Sequence, residues 1–216
     1  LDYLQRGGRL FVNYSYSQLP DYNITGGDLG RALGFEIGTR QGMHMIVNSR
    51  DPGGRGIDGN DGVTKLDLLL NPNHPVTLRL AGSRQLLQFA QARELRLVDP
   101  APTGVRRDAL LATGQSGWLG FTDQNGFPDF HAPPGQLASY VLGAAFDLDG
   151  KGADEKPVTG VAFVTSGMFC NNLGMGINGN LAANIFNWLC ERRELMDIRG
   201  SSYVPRHLQL QQAQLD

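Results

Sequence analysis

The segment Gly160-Val-Ala-Phe-Val-Thr-Ser166 is an almost wholly apolar run, which is typical of a strand covered on both faces. A loop rich in asparagine and glycine follows it, and Asn180 can then cap a helix. The apolar residues of this helix recur on one face, at Leu181, Ile185, Trp188 and Leu189. This part of the chain is therefore predicted to form a strand, a loop and a helix.

The N-terminal part predicts a strand, a helix and a second strand. Gly7 closes a preceding helix, and the run 9–14 is rich in aromatic and β-branched residues, as in a buried strand. Asp28 can cap the next helix, and Gly34 can supply the left-handed residue that ends it. The run 35–37 starts another extended segment. Strand–helix–strand is the repeating unit of an open parallel sheet.

Further apolar runs predict the remaining strands. They are 66–70, two short strands with a break within 86–98, 109–113 and 140–148. The turn-rich residues 149–157 predict a loop that joins the strand 140–148 to the adjacent strand 160–166. The glycine-rich segment 50–62 is predicted to be a surface loop. Together these elements predict an α/β fold with an open, mostly parallel sheet flanked by helices, with loop and β excursions.

Composition places the chain among ordinary globular proteins. Of its 216 residues 41% are hydrophobic and 19% are charged, which excludes wholesale disorder. The formal net charge of −2 gives no basic field, so we predict no nucleic-acid partner. We predict one domain over residues 1–195 and an extended tail over residues 196–216.

From the cysteines and histidines of the sequence we predict no catalytic residue. Cys170 and Cys190 are predicted to be buried free thiols at opposite ends of the last strand–helix unit, too far apart for a disulfide. A nucleophilic Cys170 would need a tight turn at the strand end and a histidine partner, and the sequence shows no such motif. The four histidines, His44, His74, His131 and His207, have spacings that match no metal-ligand signature.

Two further patterns could indicate a metal or a cofactor. The acidic residues Asp147, Asp149, Asp154 and Glu155 could suggest calcium, but they lack the flanking helices of an EF-hand loop. The glycines of 174–179 resemble a dinucleotide-binding loop in spacing only, because the loop from Ser166 to Asn180 is too long for the tight first turn. We therefore predict neither a metal nor a cofactor.

A small polar site is predicted where the last strand ends. In open α/β sheets, ligands collect beyond the carboxyl ends of strands. Ser166, Asn171, Asn172 and Asn178 would lie there, beside a helix N-terminus that favours anionic groups. These side chains are candidate ligand-binding residues for a small polar molecule or a peptide. The alternative is a loop in which asparagine side chains satisfy the backbone.

The order of these motifs resembles a known family. The matching segments are Gly7-Gly-Arg-Leu-Phe-Val12, Asp28-Leu-Gly-Arg-Ala-Leu-Gly34, His74-Pro-Val-Thr77, Leu110-Leu-Ala-Thr113 before Trp118, and the strand 160–166 leading to Asn180-Leu-Ala-Ala-Asn-Ile-Phe-Asn-Trp-Leu189. They resemble the extracytoplasmic domain of GldG-like, DUF4350-type auxiliary proteins of ABC-type transport and gliding-motility systems. The resemblance implies a flavodoxin-like fold similar to class I glutamine amidotransferases, whose first strand and helix would precede Leu1.

The resemblance also implies a location and partners. In that family an extended tail and a membrane helix follow the closing helix, and residues 195–206 resemble such a tail. The implied protein is anchored in a membrane through flanking segments, with this domain on the extracytoplasmic, periplasmic side and protein partners in a membrane-associated complex.

Three functions follow as hypotheses. The first is a non-catalytic binding or assembly domain of a membrane-anchored auxiliary subunit. The second is an amidotransferase-like or sugar-utilisation-type enzyme with an unrecognised site. The third is a structural assembly protein that packs through residues 40–65 and 120–135.

Overall fold

The computed structural model of the chain describes about half of its residues. The described ranges are 2–13, 27–37, 45–48, 63–65, 68–81, 87–90, 93–115, 117–122, 128–129, 138–149, 158–164 and 177–191. The helices are α1 (Asp2–Gln5), α2 (Gly27–Leu33), α3 (Pro75–Leu78) and α4 (Ile177–Leu189). The strands are β1 (Leu10–Asn13), β2 (Phe35–Ile37), β3 (Met45–Asn48), β4 (Val63–Lys65), β5 (Leu68–Leu70), β6 (Gln88–Ala90), β7 (Leu95–Leu97), β8 (Val105–Thr113), β9 (Gly117–Thr122), β10 (Pro128–Asp129), β11 (Val141–Leu148) and β12 (Val158–Val164).

The largest sheet has five strands in the order β1-β12-β11-β8-β5. Of its four pairings, β1 with β12 is parallel, and the other three are antiparallel. The remaining described strands form three small antiparallel sheets, in the orders β10-β9-β3, β2-β7 and β4-β6. The prediction of an open, mostly parallel, flavodoxin-like sheet is therefore wrong. The fold is a mixed α/β arrangement.

The prediction failed at the first strand–helix–strand unit. β2 follows α2 directly but does not join β1; instead it pairs antiparallel with β7, with Phe35 opposite Leu97 and Ile37 opposite Leu95. Its burial alternates, because Phe35 and Ile37 are buried and Glu36 between them is exposed. A central parallel strand is buried on both faces, so this alternation indicates a short ribbon that covers the main sheet rather than extends it.

Two hydrophobic cores lie on the two faces of the main sheet. The first joins α3 and α4 to the sheet; its buried residues are Val76, Leu80, Leu87, Leu110, Leu111, Leu142, Ala145, Leu181, Ile185, Trp188 and Leu189. The second joins α1, α2 and the β2–β7 ribbon to the opposite face; its buried residues are Leu4, Leu33, Phe35, Ile37, Leu95, Ala144 and Phe146. Neighbouring residues of β11 enter different cores, since Leu142 and Ala145 belong to the first and Ala144 and Phe146 to the second.

Most of the predicted elements are present in the structure. The segment 86–98 does contain two short strands, and β11 and β12 are adjacent, as the turn between them predicted. The four apolar residues predicted for the face of α4 are all buried. However, α4 begins at Ile177 rather than after Asn180, so the predicted cap is wrong. The predicted loop 50–62 and the predicted tail 196–216 lie outside the described residues.

Candidate functional site

The predicted ligand site at the end of β12 is described at one residue. Ser166, Asn171 and Asn172 lie outside the described residues. Asn178 is the second residue of α4, and only 1% of its surface is exposed. The residue is therefore closed to solvent in this structure. The structure does not show the four side chains brought together.

A buried polar network, which we call the α3 junction, holds α3 between β8 and α4. Its residues are Asn71, His74, Thr77 and Asn184. The Asn71 Nδ2 donates to the carbonyl oxygen of Ala109 at 2.9 Å, which ties the loop before α3 to the main sheet. Thr77 Oγ1 donates to the Asn71 carbonyl oxygen at 2.6 Å.

The other half of the α3 junction faces α4. Asn184 Nδ2 donates to the Val76 carbonyl oxygen at 2.9 Å, and the bond is buried. The His74 ring meets the ring of Trp188 edge-on, with 5.1 Å between the centroids. Each of these polar groups therefore helps to hold α3 in place. This helix has four residues and is too short to be stable alone.

His74 is the N-cap of α3. Its Nδ1 accepts a hydrogen bond from the Val76 N–H at 3.3 Å, and 6% of the residue is exposed. Burial lowers the pKa of His74 below its ordinary value of 6.5, and the carboxylates of Asp108 and Asp147 oppose this in part. The ring is therefore neutral at pH 7, with its proton on Nε2.

The other candidate chemical groups are described in part. Cys190 is exposed, directly after α4, so the prediction that it is buried is wrong for this thiol. It lies one residue beyond the buried face of the helix, where the apolar repeat no longer constrains it. Cys170 and the histidines His44, His131 and His207 lie outside the described residues.

Of the acidic group weighed for calcium, Asp147 and Asp149 are described. Asp147 Oδ2 lies 3.5 Å from Arg106 Nη2 across the β11–β8 pair. Within the described ranges, no three His, Cys, Asp or Glu side chains are grouped closely enough to hold a metal ion.

An aromatic surface lies at the β1 edge of the main sheet, and the sequence analysis missed it. This β1-edge surface consists of Tyr3, Arg9, Phe11, Phe186 and Glu191. Phe186 of α4 is 52% exposed and meets the Phe11 ring edge-on, with 5.4 Å between the centroids. The Tyr3 hydroxyl donates to the Arg9 carbonyl oxygen at 3.2 Å, and its ring is also exposed.

Charged groups border these aromatic rings. Arg9 Nη2 donates to Glu191 Oε1 at 2.5 Å, which links the start of β1 to the end of α4. The sequence does contain a signal for this surface. Phe186 falls outside the buried repeat of α4, so an exposed aromatic residue on that helix could have been predicted.

Comparisons with known proteins find similarity to solved structures only. No protein-family model matches the chain, and no curated protein matches it. A solved structure described as "mmIFT52 N-terminal domain" is similar, with 16% sequence identity and a TM-score of 0.48. The match covers 87% of this chain and 67% of that chain. At this TM-score, the similarity supports no inference about the fold or the function of the chain.

Proposed function

We propose that the chain works by binding protein partners, as a non-catalytic assembly domain. The observation that carries this proposal is the β1-edge surface, which leaves an aromatic side chain of α4 half exposed beside a sheet edge. Aromatic residues and arginine are enriched in protein interfaces, where a few of them supply most of the binding energy.

The composition of the β1-edge surface favours a protein partner. Its centre is formed by two aromatic rings, Phe11 and Phe186, and its margin carries one arginine and one glutamate. Such an apolar centre with a polar margin is the usual anatomy of a protein–protein contact. Tyr3 adds a hydroxyl that can bond to a partner as well as an apolar ring.

We propose further that the domain belongs to a membrane-anchored auxiliary subunit of an ABC-type transport or gliding-motility-like system, on the extracytoplasmic side. The support for this is the sequence resemblance, above all the segments 74–77 and 180–189. Among the described residues, no helix is both long and apolar enough to cross a membrane.

The binding proposal is tested by photocrosslinking in cells. A photoreactive phenylalanine analogue replaces Phe186 in the full-length protein, and the matched control carries it at Leu69, an exposed apolar residue of β5 at the opposite edge of the main sheet. We expect a discrete protein adduct from position 186 that position 69 does not give. Equal labelling at the two positions, or no adduct at 186, would contradict the proposal.

The membrane proposal needs a separate measurement. The full-length protein is expected in the membrane fraction of its native cells, and an added protease is expected to cleave this domain only from the extracytoplasmic side. The adduct formed at position 186 is expected to contain a transport or motility subunit, identified by mass spectrometry. A soluble full-length protein would refute the membrane assignment and leave the binding proposal to the crosslinking result.

A further inference from the structure

The packed position of α3 depends on the neutral form of the His74 imidazole. α3 has four residues, fewer than a helix needs to be stable alone, so its cap and its packing must hold it in place. The cap is the Val76 N–H donating to His74 Nδ1 at 3.3 Å. An imidazole nitrogen can accept this bond only when it carries no proton.

Protonation of His74 would remove the cap and create a conflict. In the imidazolium form both ring nitrogens are donors, so Nδ1–H would face the Val76 N–H. The ring is also 6% exposed and lies against Trp188, so a new positive charge there would be poorly solvated. Both effects destabilise α3 in its packed position against α4. Neither effect destabilises the open conformation.

Among the described residues, two carboxylates act on the charge of His74. Asp108 of β8 and Asp147 of β11 both favour the imidazolium, and Asp147 is itself paired with Arg106. α4 packs against His74 through Trp188 and bonds to α3 through Asn184, and neither side chain titrates. The C-cap residue of α3 is Arg79, which also carries a charge. Burial outweighs the two carboxylates, so the pKa of His74 is lowered.

We propose that His74 makes α3 an acid-sensitive latch, because protonation of the imidazole removes the cap on Val76 and loosens α3 from α4. The opened segment would expose Val76 and Leu80, which are buried in the first core. They would add to the exposed Leu78 on the same short helix, so acid would enlarge the apolar surface at this face of the molecule. The proposal is independent of the β1-edge surface and of the function assigned to it.

The experiment is hydrogen exchange between pH 5 and 7.5, corrected for intrinsic amide rates, on peptides that cover α3 and, as an internal reference, β8 and β11. We expect the opening of α3 to increase as the pH falls below about 6.5, by at most tenfold per pH unit, while β8 and β11 keep their protection. His74→Asn keeps a capping side chain that does not titrate, so its α3 exchange is expected to be independent of pH.

Two results would overturn the latch. One is the same pH profile in His74→Asn as in the wild-type chain. The other is a parallel loss of protection in β8 and β11, which would mean global unfolding. Should His74→Asn fail to fold, NMR of the wild-type chain decides: the Val76 amide signal must titrate with the same midpoint as the His74 ring, and an invariant Val76 amide would refute the proposal.

Discussion

Gly34 has a conformation and an environment that exclude a side chain. It ends α2 with φ +73°, and its N–H donates to the Gly30 carbonyl oxygen at 2.8 Å. A Cβ at this position would overlap Pro102 Cδ and lie 3.0 Å from its Cγ. We expect Gly34→Ala to lower the free energy of unfolding by about 2–4 kcal/mol in urea denaturation, from backbone strain and overlap together.

Gly27 provides the matched control for that substitution. It also has a positive φ, +51°, but a Cβ there would have no atom within 4 Å. Gly27→Ala should therefore cost only the backbone term, about 1 kcal/mol. Equal losses in the two variants would show that Pro102 does not confine residue 34.

Arg107 connects the main sheet to the β2–β7 ribbon through its guanidinium. Its Nη1 donates to the carbonyl oxygens of Gly34, at 2.9 Å, and of Val98, and its Nη2 lies 2.6 Å from Asp99 Oδ1. The side chain is 9% exposed, and Arg107→Ala removes all three of these bonds, although the Gly34 carbonyl oxygen keeps the Val98 N–H as a donor. We expect a loss of about 2–3 kcal/mol in the free energy of unfolding.

The neighbouring Arg106 is the control for Arg107. In its ion pair with Asp147 the arginine side chain is 62% exposed, and that of Asp147 is 24% exposed. Surface pairs contribute little, so Arg106→Ala should change the free energy of unfolding by less than about 1 kcal/mol. The same chemical denaturation measures both variants, and a larger loss in Arg106→Ala would contradict the assigned roles.

At the scale of the elements, Asn184 joins α4 to α3. Asn184→Ala removes the donor to the buried Val76 carbonyl oxygen and should cost about 1–3 kcal/mol. In hydrogen exchange, the amides of α3 should lose protection before those of α4 do. Asn187, one turn closer to the end of α4 and only partly buried, is the control, and Asn187→Ala is expected to be nearly neutral. Equal losses would show that Asn184 does not act through α3.

The sequence predicted single elements better than their pairing. Apolar runs and glycine termini are local, so β8, β11, β12 and the buried face of α4 could be predicted from composition and spacing alone. Strand order is not local. The run 35–37 has the same length and residue types whether it extends a sheet or forms a ribbon with β7, and only the exposed Glu36 within it favours the ribbon.

The candidate site was predictable to a smaller extent for a similar reason. His74 stood out in the sequence as a residue before proline, but its cap on Val76 and its contact with Trp188 depend on how α3 meets α4. Asn178 was predicted to lie in a loop because the residues before Asn180 are rich in asparagine and glycine, whereas α4 begins at Ile177. Contacts between distant segments therefore define this part of the molecule.

At the scale of the whole molecule, the main sheet separates two cores, and both contain side chains of β11. We therefore expect the two cores to unfold together. Ile185→Ala opens a cavity in the core under α4, and Phe146→Ala opens one in the core under the β2–β7 ribbon, where Phe146 lies 5.4 Å from Phe35 between ring centroids. Each should cost about 3–5 kcal/mol, and the double variant should show their sum to within about 0.5 kcal/mol, because the sheet keeps the two sites apart.

Cooperativity gives this last prediction its sharper test. In a Trp118→Phe background Trp188 is the sole tryptophan and reports on the first core, whereas circular dichroism reports on all elements. If β11 couples the cores, Phe146→Ala must lower the urea midpoint of the tryptophan signal as much as that of the dichroism signal, although Phe146 contacts the other core. A tryptophan transition that keeps its wild-type midpoint in Phe146→Ala would mean that the ribbon side unfolds separately. The main sheet would then be a boundary between two independent units and not the centre of one.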